Sequence, residues 1–167
     1  AIFWLKKYRG EGKHFMNGLV KSNEFIWYSE KTNWGHLYLY DLETKKLKNQ
    51  ITSGNWLVKQ LKNIDVINRQ IYFTGGGKEI GNPYHNYLYK VNFDGSNSQN
   101  LTPDKGSHTV KFTSDYTYFI DTYSTTSTPP ISILRNNNGE KLLDLEIADI
   151  TALKEKNWQN PIEFNVK

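Results

Sequence analysis

The sequence has no cysteine, a single methionine and five prolines among its 167 residues. Without cysteine there is no disulfide, no thiolate ligand for a metal and no cysteine nucleophile. No apolar run reaches the roughly 18 residues that a membrane-spanning helix needs, and no signal peptide is visible. The sequence opens on Ala1 instead of Met, and "AIFWLKK" already reads as a strand. We therefore expect a piece of a longer protein, without a membrane span in this part.

The sequence contains no block of basic residues and no block of acidic residues. The 21 basic and 17 acidic residues are interspersed and leave a net charge of +4. A nucleic-acid surface usually shows a basic patch or stripe, so we expect no nucleic-acid partner. Hydrophobic residues make up 37% of the chain, which is unlike a disordered protein. The aromatic content of 14% favours strands, because aromatic side chains fit a pleated, half-buried surface.

Short apolar runs recur with a regular period. They begin at Phe25, Ile71 and Tyr118, which lie 46 (71 − 25) and 47 (118 − 71) residues apart. A loop and a second apolar run follow each of them, with a further run on either side. Turn sequences such as "FDGSN" and "NNNGE" accept the positive φ that tight hairpins require. Four strands in about 45 residues are typical of a β-propeller blade, and a plain all-β sandwich or barrel is the alternative.

The predicted fold is therefore all-β, with about three four-stranded antiparallel blades of a partial, unclosed β-propeller and a short C-terminal helix. We expect a partial strand and the start of the first blade in 1–20, and blades over 13–54, 55–107 and 108–147. A connector over 148–167 would contain a helix capped by Asp149 and a last strand from Glu163 to Val166. Because propellers have 4–8 blades, three blades leave two apolar faces uncovered. Either the chain forms a homodimer or it belongs to a larger propeller.

The stretch "FIWYSEKTNWGHLYLYDL", residues 25–42, is the most aromatic part of the sequence. Alternate residues of a strand face opposite sides, and here both sides are apolar. Strands of this kind need cover on both faces, as the inner strands of a blade have. The turn between them holds Trp34 and His36, which we name as candidate substrate contacts. Trp34 could stack on a ligand such as a sugar, or fill the gap between adjacent blades.

Other chemistry-bearing residues do not cluster in the sequence. His14, His36, His85 and His108 are spread along the chain, so we expect no metal site and no cofactor. His14 and His108 precede the first strand of a blade, which suggests a structural role in a turn. The run "DTYS", residues 121–124, resembles part of a catalytic triad but is better explained as structural. The glycine-rich loop from Gly75 to Pro83 lacks the Lys-Ser/Thr of a phosphate-binding loop.

Several motifs in order resemble the propeller domain of bacterial dipeptidyl peptidase IV-type enzymes. These are "NEFIWYSEKTNWGHLYLYDLETKKLKNQITSGNW", "RQIYFTGGGKEIGNPYHNYLYKVNFDG", "LTPDKGSHTVKFTSDYTYFIDTYSTTSTPP" and "ILRNNNGEKLLDLE". The tail "DITALKEKNWQNPIEFNVK" resembles the connector into the hydrolase domain of these enzymes. The resemblance covers roughly residues 21–167 and points to the prolyl oligopeptidase family of serine peptidases.

This resemblance implies a propeller that caps an α/β-hydrolase domain, which removes dipeptides from peptide N-termini after Pro or Ala. The nucleophile of that domain lies in a G-x-S-x-G elbow, and this sequence contains none, so we expect no catalysis by this chain alone. The family binds the peptide amine with a pair of glutamates, and no residue here matches that pair. A pocket phenylalanine of the family has a candidate counterpart in Phe15.

The resemblance predicts that the chain shapes the substrate pocket and restricts access to the active site of a serine exopeptidase. Its partners would be the hydrolase domain, the remaining blades and the peptide substrate, in a periplasmic or secreted parent. The alternative is a stand-alone binding module for a protein or a glycan.

Overall fold

The computed structural model describes residues 16–19, 23–162 and 164, and it contains twelve strands and one short helix within these residues. Phe15, His14 and the predicted strand from Glu163 to Val166 lie wholly or mainly outside this range. The elements are β1 Met16–Leu19, β2 Glu24–Ser29, β3 His36–Asp41, β4 Leu47–Gln50, β5 Leu57–Asp65, β6 Gln70–Gly76, β7 Tyr87–Asn92, β8 Gln99–Asn100, β9 Ser107–Phe112, β10 Tyr118–Ser124, β11 Ile131–Asn136, β12 Lys141–Ile147 and α1 Thr151–Glu155.

The strands form three four-stranded sheets in chain order, β1-β2-β3-β4, β5-β6-β7-β8 and β9-β10-β11-β12. Every pair whose register is described is antiparallel. The predicted all-β fold of three blades, without a closed sheet, is thereby confirmed. The chain divides into two compact units, unit 1 with Ala1–Tyr84 and Tyr89–Gln99, and unit 2 with His85–Leu88 and Asn100–Lys167.

The turn between the first two strands repeats in each sheet with the period of the sequence. Asn23, Arg69 and Tyr116 occupy these turns with φ of 51°, 54° and 58°. They lie 46 (69 − 23) and 47 (116 − 69) residues apart. Left-handed φ is uncommon for residues other than glycine and is tolerated best by Asn and Asp, so only Asn23 has a side chain suited to it. The repeated backbone geometry accounts for the period better than any repeated residue type.

In the second and third sheets, the turn between the third and fourth strands contains a glycine at positive φ, as the sequence predicted, whereas Lys45 has the positive φ in the first sheet. Gly95 and Gly139 have φ of 87° and 85°. A Cβ on Gly95 would lie 3.0 Å from the carbonyl oxygen of Ile51, and one on Gly139 would lie 2.8 Å from that of Leu101. Each glycine therefore supplies both the left-handed conformation and the space for a close backbone approach.

Burial differs between the second and third sheets. In β6, Ile71, Tyr72 and Phe73 are each at most 4% exposed, so both faces of this strand are covered. In β10, Phe119 is fully buried, whereas Tyr118 and Ile120 on the other face are 42% and 40% exposed. β12 is exposed along its whole length. In the third sheet, one face of β10 is thus covered and the other is open, while β12 is uncovered on both faces.

The C-terminal helix is short, as predicted, but its N-cap differs from the predicted one. It spans Thr151–Glu155, and its N-cap is Ile150 instead of Asp149. Asp149 Oδ1 accepts hydrogen bonds from the amide of Thr151 at 2.8 Å and from its hydroxyl at 2.6 Å. The Asp149 carboxylate therefore bonds to the first helical amide from the residue that precedes the N-cap. Within the described residues, no helix is long and apolar enough to cross a membrane.

Candidate functional site

Two corners of the chain, where one sheet leads into the next, contain buried polar side chains and are held by further ones from the strands. The first corner, Thr52–Trp56, joins β4 to β5 in unit 1, and the second corner, Thr102–His108, enters β9 in unit 2. In both, a threonine hydroxyl accepts a hydrogen bond from a strand amide, Leu37 N to Thr52 Oγ1 at 3.0 Å and Leu88 N to Thr102 Oγ1 at 2.9 Å. This shared bond fixes the start of each corner.

An N–H of a ring closes each corner by donating to a carbonyl within it. Trp56 Nε1 donates to the carbonyl oxygen of Ser53 at 2.7 Å. His108 Nε2 lies 2.7 Å from the carbonyl oxygen of Asp104. Each ring follows a glycine by two residues, Gly54 in one case and Gly106 in the other. The two corners therefore have the same plan but a neutral indole in one and an imidazole in the other.

The first corner is braced by His36, at the start of β3. Its Nε2 lies 2.9 Å from the carbonyl oxygen of Gly54, and its Nδ1 lies 3.1 Å from Thr52 Oγ1. Because a carbonyl only accepts, the hydrogen must be on Nε2, and the Thr52 hydroxyl can donate to Nδ1. Burial lowers the pKa of His36, against a smaller opposing effect of the Gly54 hydrogen bond. The ring is therefore neutral at neutral pH.

An aromatic stack extends from the first corner. Trp56 packs against Phe73 and Tyr89 with ring centroids 5.9 Å apart in both pairs, and it meets the His36 ring edge-on at 5.2 Å. The Lys78 ammonium lies 5.2 Å from the centroid of Trp56 and 4.9 Å from that of Tyr89. Such cation–π contacts hold the glycine-rich loop against the stack.

The turn before β3 presents Trp34 to solvent. Asn33 has a φ of 69°, and its amide donates to the carbonyl oxygen of Glu30 at 2.9 Å. A Cβ on Gly35 would lie 1.9 Å from the Tyr28 hydroxyl oxygen, so this position accepts only glycine as packed. This turn leaves Trp34 37% exposed.

The second corner is braced by ions instead of an aromatic stack. His108 Nδ1 lies 2.8 Å from Asp121 Oδ1, and Asp121 Oδ2 accepts from Arg135 Nε at 3.0 Å. Arg135 also donates to the carbonyl oxygen of Gly139 at 2.9 Å and to the Asp104 carboxylate. The side chains of His108 and Asp121 are fully buried, and that of Arg135 is 4% exposed. This network links β9, β10 and β11 through charges.

A His–carboxylate pair is two thirds of a serine-protease triad, but the geometry here is closed to that use. In a triad the histidine nitrogen remote from the carboxylate takes the proton of the nucleophile. In His108 that nitrogen is Nε2, which is bonded to the carbonyl oxygen of Asp104. The run "DTYS" thus contributes Asp121 to a buried network.

A second buried charge cluster lies at the other end of the first sheet. The Glu24 side chain is 3% exposed, and its carboxylate contacts Lys48 Nζ at 2.5 Å and Arg69 Nη1 at 2.9 Å. Burial alone would raise the pKa of Glu24, but the hydrogen bonds and charges of Arg69 and Lys48 outweigh burial and lower it to about 2. The carboxylate is therefore ionised and paired at neutral pH.

The predicted site residues do not converge on one point that the structure describes. Phe15 lies outside the described residues, Trp34 is partly exposed, and His36 is 1% exposed with both ring nitrogens bonded. Whether these residues contact substrate stays a prediction. His108 lies within β9, not before it, although its Nε2 does hold the preceding corner. Among the described residues, no group of three or more His, Cys, Asp or Glu could hold a metal ion.

Sequence reasoning missed both charge networks. The second corner, "TPDKGSH", is two residues longer than "TSGNW" and carries an aspartate and a histidine where the first corner has neutral residues. That difference in length and charge could have indicated a polar network at the second corner. Nothing in the sequence indicates that Asp121 and Arg135 complete the network, because they reach it through strand register at Asp121↔Ile133 and Phe119↔Arg135.

Comparison with known proteins finds dipeptidyl peptidases. Residues 4–130 match the family "Dipeptidyl peptidase IV (DPP IV) N-terminal region". The chain is 28% identical over 133 residues to the probable dipeptidyl peptidase 4 of Trichophyton verrucosum, a match that covers 77% of this chain and 17% of that protein. It is 28% identical over 145 residues to dipeptidyl peptidase 4 of Trichophyton rubrum, which covers 83% of this chain and 18% of that protein.

Solved structures give the same result. The chain superposes on Porphyromonas gingivalis dipeptidyl peptidase 4 with a TM-score of 0.64 and 29% identity, over 80% of this chain and 18% of that one. A putative dipeptidyl aminopeptidase IV from Bacteroides ovatus shares the fold, with a TM-score of 0.61 and 23% identity over 76% of this chain and 20% of that one. The chain thus spans about a fifth of the length of these relatives. Relatives are both fungal and bacterial, so the resemblance extends beyond bacteria. Since the family match covers most of the sequence, this chain belongs to the dipeptidyl peptidase IV N-terminal region family.

Proposed function

We propose that this chain is a non-catalytic part of the propeller of a serine-type dipeptidyl peptidase. In the parent protein it would restrict access to an α/β-hydrolase active site and help to shape the substrate pocket. The family match over residues 4–130 carries this proposal, together with the three four-stranded sheets. By the same resemblance, the parent would be periplasmic or secreted.

The hydrogen bonds of two buried histidines support a non-catalytic role for the described residues. His36 and His108 each have both ring nitrogens within hydrogen-bond distance of a partner. A general base needs a nitrogen that can take a proton from a substrate or a nucleophile. The proposed hydrolase domain would supply that base.

The open face of the third sheet supports the presence of further blades in the parent. Ile120 pairs with Leu134, and Leu134 pairs with Leu143, so these side chains form an apolar row across three strands. Ile120 and Leu143 are 40% and 55% exposed. We propose that the remaining blades cover this row in the parent and that a second copy covers it in the isolated chain. Sedimentation velocity should then show a dimer for the isolated chain and a monomer for Ile120→Lys.

Trp34 is the described residue that best fits a substrate contact. Its side chain is 37% exposed in the turn before β3, whereas His36 is 1% exposed. Aromatic side chains bury a large apolar area and contribute strongly to recognition. We propose that Trp34 contacts peptides on their way to the active site, with His36 holding the neighbouring strand.

The test uses the parent enzyme and compares Trp34→Ala with Ile67→Ala. Ile67 is 93% exposed in the turn between β5 and β6, the first two strands of their sheet. Trp34 lies in a turn between the second and third strands of a sheet, and such turns are at the opposite end of the strands. We expect Trp34→Ala to change the ratio of kcat/KM for long peptides to kcat/KM for a dipeptidyl chromogenic substrate, and Ile67→Ala to leave it unchanged. If this kcat/KM ratio is the same in the wild type and both variants, the turn that holds Trp34 does not control access of long peptides.

A stand-alone binding module is the second candidate, and the exposure of Trp34 favours it as well. In that role the indole would stack on a sugar ring, without a hydrolase domain. A glycan array probed with the wild type and Trp34→Ala separates the two proposals. Binding that disappears in the variant favours the module, and no binding by either favours the peptidase.

A further inference from the structure

The first strand of the second sheet, β5, contains two β-bulges, and the extra residue of each bulge is a lysine. The register of β5 with β6 shifts by one residue between Val58 and Gln60, and it shifts again three positions (62 − 59) further along. The residues left out of the pairing are Lys59 and Lys62, in the sequence "VKQLKN". A bulge bends its strand and redirects the side chain of the extra residue, and bulges are frequent beside active sites. Two lysines therefore occupy equivalent, irregular positions on one strand.

Both lysine ammonium groups are held by neutral oxygen atoms. Lys59 Nζ donates to the carbonyl oxygen of Tyr84 at 3.1 Å, and Lys62 Nζ donates to Gln60 Oε1 at 2.8 Å. Partial burial lowers the pKa of both lysines. Among the residues that the structure describes, no carboxylate forms a salt bridge with either lysine. An ammonium group that has lost part of its hydration and has no counter-ion is stabilised by an added carboxylate, because hydrogen bonds between charged groups are stronger than neutral ones.

The first strands of the other two sheets lack this arrangement. β9 pairs with β10 from Ser107 to Phe112 without a register shift, and the described part of β1 pairs with β2 equally regularly. The lysine of β9, Lys111, is exposed and lies opposite Ile120 in that regular register. The pair of bulged lysines is therefore a feature of β5 and not a general feature of first strands.

We propose that Lys59 and Lys62 bind a carboxylate group of a peptide. The inference rests on the proposed function, in which the peptide is a substrate of the parent peptidase. An ammonium group only donates hydrogen bonds and a carboxylate only accepts them, so the two groups are matched. The carboxylate is either the C-terminus of the peptide or an acidic side chain beyond the dipeptide that is removed. The parent would then prefer peptides that are negatively charged beyond this dipeptide.

An alternative role for these lysines is protection of an open sheet edge. Within the described residues β5 pairs with β6 alone, and lysines and bulges on edge strands discourage pairing with another chain. Edge protection requires charge but no ligand. Peptide binding therefore distinguishes the two roles.

Binding to the 167-residue chain is measured by NMR titration with four synthetic peptides. All begin with Gly-Pro-Gly-Gly, and they end in Glu-Glu or Gln-Gln, each with a C-terminal carboxylate or a C-terminal amide. We expect the neutral Gln-Gln amide to bind most weakly and the shifts on binding to include the amides of Lys59 and Lys62. Tighter binding of the Glu-Glu amide than of the Gln-Gln carboxylate identifies the side chain as the ligand, and the reverse order identifies the C-terminus. Equal dissociation constants for all four peptides would overturn the proposal.

A double variant, Lys59→Gln with Lys62→Gln, removes both charges and keeps polar side chains. Lys105→Gln with Lys111→Gln is the matched control, because it removes two charges from exposed lysines outside β5. We expect the first variant to weaken binding of the tightest peptide by about fivefold and the control to leave it unchanged. Equal weakening in both variants would show general charge attraction and overturn the site. Unchanged binding in the first variant would also overturn it and would leave the lysines with edge protection alone.

An assay of the parent enzyme separates this inference from the proposed function. The ratio of kcat/KM for the tightest-binding peptide to kcat/KM for the Gln-Gln amide should fall toward one in Lys59→Gln with Lys62→Gln. Cleavage of both peptides with a ratio that the variant does not change would overturn the substrate role of the site and leave the proposed function intact. Cleavage of neither peptide would overturn the proposed function, while the dissociation constants of the chain still decide whether the two lysines bind a carboxylate.

Discussion

The two corners achieve the same chain path by opposite physical means. Both begin with a threonine that accepts a strand amide, and both close with a ring N–H on a backbone carbonyl at 2.7 Å. Around Trp56 the remaining support is an aromatic stack, whereas around His108 it is the Asp121–Arg135 ion network. The comparison shows that both corners need a ring N–H donor two residues after the glycine. The side chains packed around that donor differ between the two corners.

Removal of Asp121 should be the most damaging change. Asp121→Ala leaves the buried Arg135 guanidinium and the His108 ring without their shared carboxylate, and breaking a buried ion pair costs about 3–5 kcal/mol. The free energy of unfolding, measured by urea denaturation, should fall by that amount. Asp94→Ala is the control, because Asp94 is exposed and the hydrogen bonds described for its side chain go to Ser96 in the same turn. Equal effects of both variants would mean that the network contributes no special stability.

Acid should act on unit 1 through Glu24. Its pKa is about 4.5 in the unfolded chain and about 2 in the fold, so the unfolded chain takes up the proton first. The stabilisation is therefore present above pH 4.5 and is lost as the pH falls toward 2, by about 3 kcal/mol in all. Urea melts of the wild type and Glu24→Gln across this range measure the loss. A difference between them that does not shrink on acidification would contradict the pairing.

Substitution of the two corner threonines should lower the free energy of unfolding by different amounts. Thr52→Val removes the acceptor for the Leu37 amide and the partner of His36, and an unsatisfied buried group costs about 1–3 kcal/mol. For Thr102→Val, the described side-chain partner is the Leu88 amide alone. We expect the first substitution to lower the free energy of unfolding more than the second. The reverse order would show that His36 does not depend on Thr52.

The smallest effect should come from His36 under mild acid. Burial lowers its pKa in the fold, so the unfolded chain binds the proton more readily. The stabilisation from the neutral ring is present above the unfolded value of about 6.5 and is lost as the pH falls through the lowered folded value. His36→Gln should remove that part of the pH dependence in urea melts.

The fold could be predicted from the sequence because its period is long and regular. The runs starting at Phe25, Ile71 and Tyr118 become β2, β6 and β10, and the Asp-Gly and Asn-Gly turns lie where positive φ is needed. The helix boundaries were less predictable, since Asp149 bonds to Thr151 from outside the N-cap position. Local capping geometry depends on a backbone path that composition does not determine.

The candidate site was less predictable than the fold. Trp34 could be named from its turn, and its partial exposure agrees with a surface role. The pairing of Glu24 with Arg69 joins residues 45 positions apart (69 − 24), which adjacent sheets bring together but no motif marks. Networks that depend on tertiary register cannot be read from spacing alone. The one sequence signal was the longer, charged second corner.

The central claim, that this chain is a non-catalytic part of a dipeptidyl peptidase, is tested most directly by one comparative assay. The isolated 167-residue chain and the parent protein are incubated with a dipeptidyl-Pro chromogenic substrate. We predict no turnover above buffer for the chain and clear turnover for the parent. Turnover by the isolated chain, or none by the parent, would contradict the account.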